Sequence, residues 1–426
     1  MRFDTLEQWL EWQTALHDKA IDLGLDRVRA VADRLAIDRI ADRVITVAGT
    51  NGKGSTVAAY ENWLVNSGYS VVSYTSPHLL RYNERIRCNR EMVSDAELCQ
   101  AFDAIENARG DTPLTYFEYG TLAALFIAQT RQPDYALLEV GLGGRLDAVN
   151  IIDADLVHLT PIGLDHQAWL GDDRESIGRE KAGVLRAGVD VILNDIDPPN
   201  SVLDAIQALD CRCLRIGHDY EARVFNHQEF VWRGEGREIS IERVLTGQHQ
   251  VANLAGVVAG LSRLFPFEQM DDQQVRDGFR GTRVAGRFQT LESQLPGRLI
   301  VDVGHNQDAA GALATNLREL SGTDTRVIVL LGMLEDKEPS LFVEALKSCV
   351  DEWWLVSLGT DRGLSATDLA ERIGPQVEAS HLFENVDAAL ELALSSLHNR
   401  DIMLVTGSFV TVETLLQALP AAENQT

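Results

Sequence analysis

Residues 44–56 read Val-Ile-Thr-Val-Ala-Gly-Thr-Asn-Gly-Lys-Gly-Ser-Thr, a β-branched run that breaks into glycines and then opens the helical pattern VAAYENWLVNSG of 57–68. A strand, a glycine loop and a helix in that order make a ready anion site. Glycines let successive backbone N–H groups converge on phosphate oxygens, the helix N-terminus adds a favourable dipole, a lysine reaches the outer phosphates, and a hydroxyl can hold magnesium. Gly49, Thr50, Asn51, Gly52, Lys53, Gly54, Ser55 and Thr56 are therefore candidates for a nucleoside triphosphate cradle. The spacing departs from the general G-x-x-x-x-G-K-[ST] form, because Gly54 follows the lysine and fewer residues separate Gly49 from Gly52. A glycine turn without a ligand is the alternative, and the strand–loop–helix context weighs against it.

Outward from this loop, YSVVSYT (69–75), YALLEVG (135–141), DLVHLTPI (155–162) and VDVIL (189–193) read as further strands. Their hydrophobicity is continuous rather than alternating, as in a parallel sheet covered on both faces. Ser94 with Glu97 forms a capping-box pattern opening a helix to about residue 108, residues 116–129 supply another, and 5–35 read as helical throughout. In 210–245 the segments RVFNHQEFVW and ISIERV read as short strands about a turn at 234–236, a small antiparallel insertion with no evident chemistry. Residues 247–265 read as a helix. The alternation restarts with RLIVDV at 298, TRVIVLLGM, WWLVSLG and DIMLVTGS, with helices from about 307, 339 and 365 between them. The expected fold is α/β: a P-loop-type parallel-sheet domain flanked by helices over 1–286, and a smaller Rossmann-like α/β domain over 287–426.

Composition narrows the function. Among 426 residues, 38 are Lys or Arg against 64 Asp or Glu, a formal charge of -26, which disfavours general nucleic-acid binding because a polyphosphate would meet a repulsive field. Five cysteines include one close pair, Cys211 and Cys213, without the spacing of a zinc or redox motif, so reduced thiols in a cytoplasm are expected. The start MRFDTLEQWLEWQ lacks the pattern of a signal peptide, and no window reaches the 18 or so apolar residues of a membrane span.

Several polar residues stand where a parallel sheet places ligands. Glu139 ends a strand beside the glycine loop, where a carboxylate can take a nucleotide-bound magnesium, although a polar strand end needs no ligand. The glycines of 141–147 after it imply close backbone approach to something. His166, after the strand of 155–162, could join the same metal shell or be structural. Lys181 lies on a short helical segment and could be a solvated surface lysine. Asn253 lies near a helix start, Arg287 at the domain junction, and Asp302 with His305 at the end of a strand. Asp302 and Asn306 would equally suit capping roles, whereas an arginine at a hinge can reach a γ-phosphate when domains close.

GTNGKGST (49–56), TSPHLLRYNERI (75–86), EVGLGGRLDAVN (139–150), GLDH (163–166), DRESIGREKAG (173–183), GQHQVAN (247–253) and DVGHN (302–306) run in this order through most of the chain. Together they resemble the bacterial bifunctional dihydrofolate synthase/folylpolyglutamate synthases of the Mur ligase superfamily. The resemblance implies a cytoplasmic, monomeric ligase that uses ATP and magnesium to phosphorylate a carboxylate. An amine then displaces the phosphate to give an amide. The implied substrates are dihydropteroate or a reduced folate, and L-glutamate.

Motif by motif, the resemblance puts Lys53 and the backbone of 49–56 on the phosphates, and Ser55, Ser76 and Glu139 on a first magnesium. Glu139 and His166 would hold a second, next to a Lys181 carbamylated by carbon dioxide. Asn253 would face adenine, Arg287 the phosphates, and Asp302 and His305 the ribose and phosphate region. Tyr116, Phe117, Arg145, Leu146 and Asp147 would form the pterin site. The chain departs from the family pattern at Gln307, where relatives often carry proline, and at Tyr116, in place of a phenylalanine. A ligase for a UDP-linked muropeptide is an alternative that would need a further N-terminal domain, and only about 40 residues precede the loop. A P-loop switch without bond-forming chemistry is a second alternative, which would consume ATP without an acceptor.

Overall fold

Strand β1 (Arg43–Ala48) is buried from Val44 onward on both faces, as its unbroken apolar run requires. In the computed structural model, which describes residues 2–419 apart from positions 18, 20, 323, 377 and 378, β1 lies inside an eight-stranded sheet. The other strands are β2 (Val71–Tyr74), β3 (Ile86–Cys88), β4 (Glu91–Met92), β5 (Tyr135–Glu139), β6 (Leu156–Leu159), β7 (Asp190–Leu193) and β8 (Arg212–Arg215). Their order is β4-β3-β2-β5-β1-β6-β7-β8, parallel from β2 to β8, with β3 and β4 added antiparallel at one edge. The chain passes over β5 to form β2 and returns past β1 to form β6. That crossing leaves a crevice at the carboxyl end of β1, between β5 and β6, where open α/β sheets bind ligands.

The helices follow local signals. Ser94 with Glu97 and Thr115 with Glu118 form complete capping boxes ahead of Asp95–Arg109 and Tyr116–Arg131, satisfying N–H groups that would otherwise lack partners. Residues 5–35 are not one helix: Leu6–Thr14 and Asp26–Arg34 are two, and Gly24 lies between them. RVFNHQEFVW is likewise two strands. β9 (Tyr220–Val224), β10 (Glu229–Gly234) and β11 (Arg237–Glu242) form a three-stranded antiparallel sheet, ordered β11-β10-β9. Asn226 breaks the run, its Oδ1 accepting the N–H groups of Gln228 and Glu229 at 2.7 and 2.8 Å to close a turn. Phe230, Trp232, Ile239 and Ile241 alternate inward and pack with Tyr60, Val257 and Leu261 of two helices.

By contact density this first unit comprises the chain up to Leu245 together with Gln250–Arg283, and a second comprises Thr246–His249 and Val284 onward. Among its described residues the second unit has six strands, β12 (Gln289–Leu291), β13 (Arg298–Val301), β14 (Val327–Leu331), β15 (Glu352–Val356), β16 (Ala379–Phe383) and β17 (Ile402–Thr406). They run β12-β13-β17-β14-β15-β16, parallel except for β12. Ile300, Val329, Leu331 and Leu404 form the centre of its core with Leu313, Leu317 and Phe342 of two helices. Among the described residues no helix is long and apolar enough to cross a membrane, and all five cysteines are unbridged.

Candidate active site

The loop between β1 and the helix Lys53–Asn66 is held from several sides. Gly49 (φ +148) lies against Thr160, so that a Cβ there would stand 2.7 Å from the Thr160 carbonyl oxygen; Gly52 (φ +93) would put one 2.6 Å from Asn253 Oδ1. Both positions demand glycine for conformation and for space. The Thr50 N–H donates to Pro161 O at 2.9 Å, and its hydroxyl exchanges hydrogen bonds with the backbone of Gly163. Lys53 Nζ donates to the carbonyls of Gly49 and Thr50 at 3.2 and 3.0 Å, curling the ammonium over the loop.

Oxygen donors gather on one side of this loop. Glu139, the last residue of β5, is buried, and its Oε2 accepts the Ser76 N–H at 3.2 Å. A Cβ on Gly54 would lie 3.8 Å from that same oxygen, so the carboxylate faces the first turn of the helix. Ser55 is buried there and its hydroxyl accepts from Gln250 Nε2 at 3.1 Å. Hydroxyl and carboxylate oxygens suit a hard divalent cation that keeps phosphate and water ligands. Among the described residues no three His, Cys, Asp or Glu side chains cluster as a metal site, so these oxygens would need phosphate to complete a shell. His166 adopts φ +53 with its ring partly exposed, and it lines the neighbouring cavity.

Lys181, near the end of the helix Arg174–Ala182, is 5% exposed and donates from Nζ to Gly49 O at 2.7 Å, so it is no surface lysine. Burial first and the charge of Lys53 second bring its pKa down to about 7, against the opposing pull of Asp165 and Asp147. Much of this amine is neutral near pH 7.

A cavity of roughly 320 Å³ opens beside the loop, with Ser76 and His166 at its wall. Tyr116, Phe117, Leu146 and Asp147 also line it. The Phe117 ring lies against Gly141, where a Cβ would come within 2.5 Å of it. Arg85 is buried, stacks over Tyr82 and Tyr116 with 5.1 and 5.4 Å to their centroids, and donates from Nε to His78 Nδ1 at 2.8 Å. His78 is held neutral, burial first and Arg85 second bringing its pKa to about 4. Asp147 is pushed up to about 6 by burial, restrained by the N–H groups of Leu142, Val149 and Gly141 and by Lys53. Arg145 does not line this cavity; its guanidinium pairs with Glu180 at 3.0 Å.

Three contributors escape the motif reading. Arg85 lines the cavity from within TSPHLLRYNERI, and Gln250 touches Ser55 from within GQHQVAN. The third is the segment 21–24, which walls the cavity and is tied by Arg27 to Asp22 at 2.6 Å and to Glu118 at 3.1 Å. Gly24 within the helical pattern was its one sequence signal.

Asn253 is buried, with Nδ2 donating to Gln250 Oε1 at 3.0 Å and Oδ1 against Gly52. In the second unit, Asp302 accepts the N–H groups of Phe288 and Gly304 at 2.8 and 2.7 Å. Asn306 caps the helix Gln307–Leu320. The Arg287 guanidinium stacks over Phe409 at 5.4 Å, His305 Nδ1 lies 2.9 Å from Val303 O, and burial lowers the pKa of the neighbouring His249.

Two family models match the chain: the Mur ligase middle domain over residues 47–261, and the Mur ligase glutamate ligase domain over 286–409. A dihydrofolate synthase/folylpolyglutamate synthase of Escherichia coli is 40% identical, covering 98% of this chain and 96% of that protein. A Haemophilus influenzae protein of the same name is 37% identical, covering 96% of each. Escherichia coli FolC in complex with DHPP and ADP superposes with a TM-score of 0.90 at 38% identity over 97% of both chains. A bifunctional folylpolyglutamate synthase/dihydrofolate synthase with Mn, AMPPNP and L-glutamate bound superposes with a TM-score of 0.88, also at 38% identity, over 97% of this chain and 98% of that one.

Proposed function

Because the chain belongs to the Mur ligase family, among its dihydrofolate synthase/folylpolyglutamate synthases, we propose that its phosphate loop and the adjoining cavity are the two halves of one ligase site. The protein is an ATP-dependent ligase that joins L-glutamate to 7,8-dihydropteroate and extends reduced folates with further glutamates. A free carboxylate is a poor electrophile, since its oxygen will not leave. Transfer of the γ-phosphoryl group to it makes an acyl phosphate; the glutamate amine attacks that carbonyl, and phosphate departs after ADP. What the chain must supply is placement and charge neutralisation.

The backbone of 49–56 receives the triphosphate, and Lys53 leaves its two loop carbonyls to meet the outer phosphates. Ser55, Ser76 and Glu139 hold a divalent cation, which when bound neutralises phosphate charge. A second such ion is held by Glu139 and His166, beside a Lys181 whose neutral Nζ adds to carbon dioxide, loses one proton and becomes an anionic carbamate. The buried, low-pKa amine supports that last step. Asn253 faces adenine, and Arg287, Asp302 and His305 are nucleotide-binding residues. Phe117 and Tyr116 floor the pterin, Leu146 borders it, and Asp147 accepts from its amide-like donors; Arg145 contributes by fixing Glu180. Residues 1–286 carry nucleotide and folate, 287–426 the glutamate-ligase domain, and the enzyme works as a cytoplasmic monomer independent of nucleic acid and membrane.

The observation that carries this reading is the cavity whose wall includes Ser76 and His166, since the Ser76 N–H donates to the same Glu139 carboxylate that faces the glycine cradle. It is tested by measuring ADP release with dihydropteroate and glutamate supplied singly and together. Release should require both, and Lys53→Ala should abolish it without loss of fold. ATP consumption without either acceptor would favour a nucleotide switch and overturn the assignment.

A further inference from the structure

The three-stranded sheet β9–β11 takes no part in the chemistry above, yet its polar contacts run toward the phosphate loop. Tyr220, the first residue of β9, is buried and donates from its hydroxyl to Asn194 Oδ1 at 2.9 Å. Asn194, just past the end of β7 and also buried, donates from Nδ2 to Ala252 O at 3.0 Å. From β10, Trp232 Nε1 donates to Ala255 O at 3.1 Å. Both carbonyls belong to the helix Gln248–Leu264, and each external donor fixes its rotation and its position along its axis. Gly256 makes the fit close: a Cβ there would stand 2.8 Å from His158 Nε2 and 2.9 Å from Asn194 Cγ. The helix can approach only because that position is bare.

The same helix meets the loop. Gln250, two residues before Ala252, donates to Ser55 Oγ, and Asn253, one residue after it, presses Oδ1 against Gly52. We propose that the small sheet is a brace for nucleotide binding, in which Tyr220, Asn194 and Trp232 are positioning residues that hold this helix so that Gln250 and Asn253 shape the loop. The inference rests on residues 49–56 being the ATP cradle. It assigns a role in ATP affinity to a segment outside residues 49–56, and it predicts an effect confined to the nucleotide. Tyr60 completes the packing, its hydroxyl 3.1 Å from His158 Nδ1 beneath the same helix.

The test compares Asn194→Ala and Tyr220→Phe with the unaltered enzyme in three measurements: Kd for ATP with magnesium by calorimetry, KM for ATP and for dihydropteroate, and melting temperature. A net hydrogen bond of ordinary strength corresponds to about five-fold in an equilibrium. Asn194→Ala should weaken ATP by about that factor or somewhat more, and Tyr220→Phe, which deletes one hydroxyl and is expected to fold, by about two- to three-fold, both with KM for dihydropteroate unchanged. The double variant should be little worse than Asn194→Ala alone, because the two residues act in series. Unchanged ATP affinity in Tyr220→Phe and Asn194→Ala would overturn the brace whatever happens to the melting temperature. Parallel rises in both KM values would also overturn it, indicating general loosening. An unaltered enzyme that fails to bind ATP would instead defeat the assignment of the cradle itself.

Discussion

The glycine loop of 49–56 and the cavity lined by Tyr116 and Phe117 are built on different terms. The loop is pinned by backbone: two glycines with no room for a Cβ, carbonyls that already bind Lys53 and Lys181, and a helix held from behind. The cavity is walled by side chains, by rings at the head of one helix and by a segment, 21–24, held at Asp22 by ion pairs to Arg27, His17 and Lys19. ATP is the same molecule at every turnover, and a rigid cradle suits it. The acceptor changes from dihydropteroate to folates of growing length, and walls that depend on side chains leave room for that difference.

The comparison breaks most sharply at Lys181, which belongs to the rigid side. Lys181→Ala should lower turnover on the order of 10³-fold, as loss of a group that shapes charge in the transition state does. If the working form is a carbamate, short carboxylic acids added to this variant should restore part of the activity, since they can occupy the space of the missing anion. A variant that keeps near-normal turnover would remove Lys181 from the site, and the same loss with no rescue at any acid concentration would count against the carbamate.

On the adaptable side the expected effect is smaller and selective. Phe117→Ala removes a ring of the cavity floor and should raise KM for dihydropteroate by about 10- to 100-fold, the range for losing a well-packed aromatic contact, while leaving KM for ATP within two-fold. Equal effects on the two substrates would mean that the ring supports the loop through Gly141 rather than the pterin.

These differences explain what could be read in the sequence. The loop was legible because its chemistry is local: glycines, a lysine and hydroxyls within eight residues, after a run that can only be a buried strand. Glu139 was legible because the end of a parallel strand has a known place. The role of Gln250 is not legible, because its partner Ser55 lies 195 positions away and nothing local announces the contact. Direction was equally hidden. Arg145 sits among the glycines of 141–147, yet it turns to Glu180, while Arg85 from another motif enters the cavity. The 223–232 run reads as one strand because β-branched and aromatic residues stand at both of its ends, and only the Asx turn at Asn226 overrides that propensity.

The smallest effect concerns stability, and it probes the rigid side from beneath. His158 on β6 is wholly buried, and burial brings its pKa to about 3. Above pH 6.5 it is neutral whether the chain is folded or not, and it adds no pH dependence. Below that, the unfolded chain takes up a proton that the folded protein refuses, so stability falls as pH drops, by about 1.4 kcal/mol per unit for one such group well below 6.5. His78, with its pKa brought to about 4, acts with the same sign and nearly the same weight down to pH 5.5, whereas Asp147, raised to about 6, opposes both by binding its proton first in the folded state. Denaturant midpoints at pH 7.5, 6.5 and 5.5 should therefore decline toward acid. His158→Gln keeps a polar partner for Tyr60 but cannot titrate, and its decline should be shallower. Equal slopes would mean that the imidazole beneath the nucleotide helix accepts its proton without unfolding, and that this side of the site yields more readily than its glycines suggest.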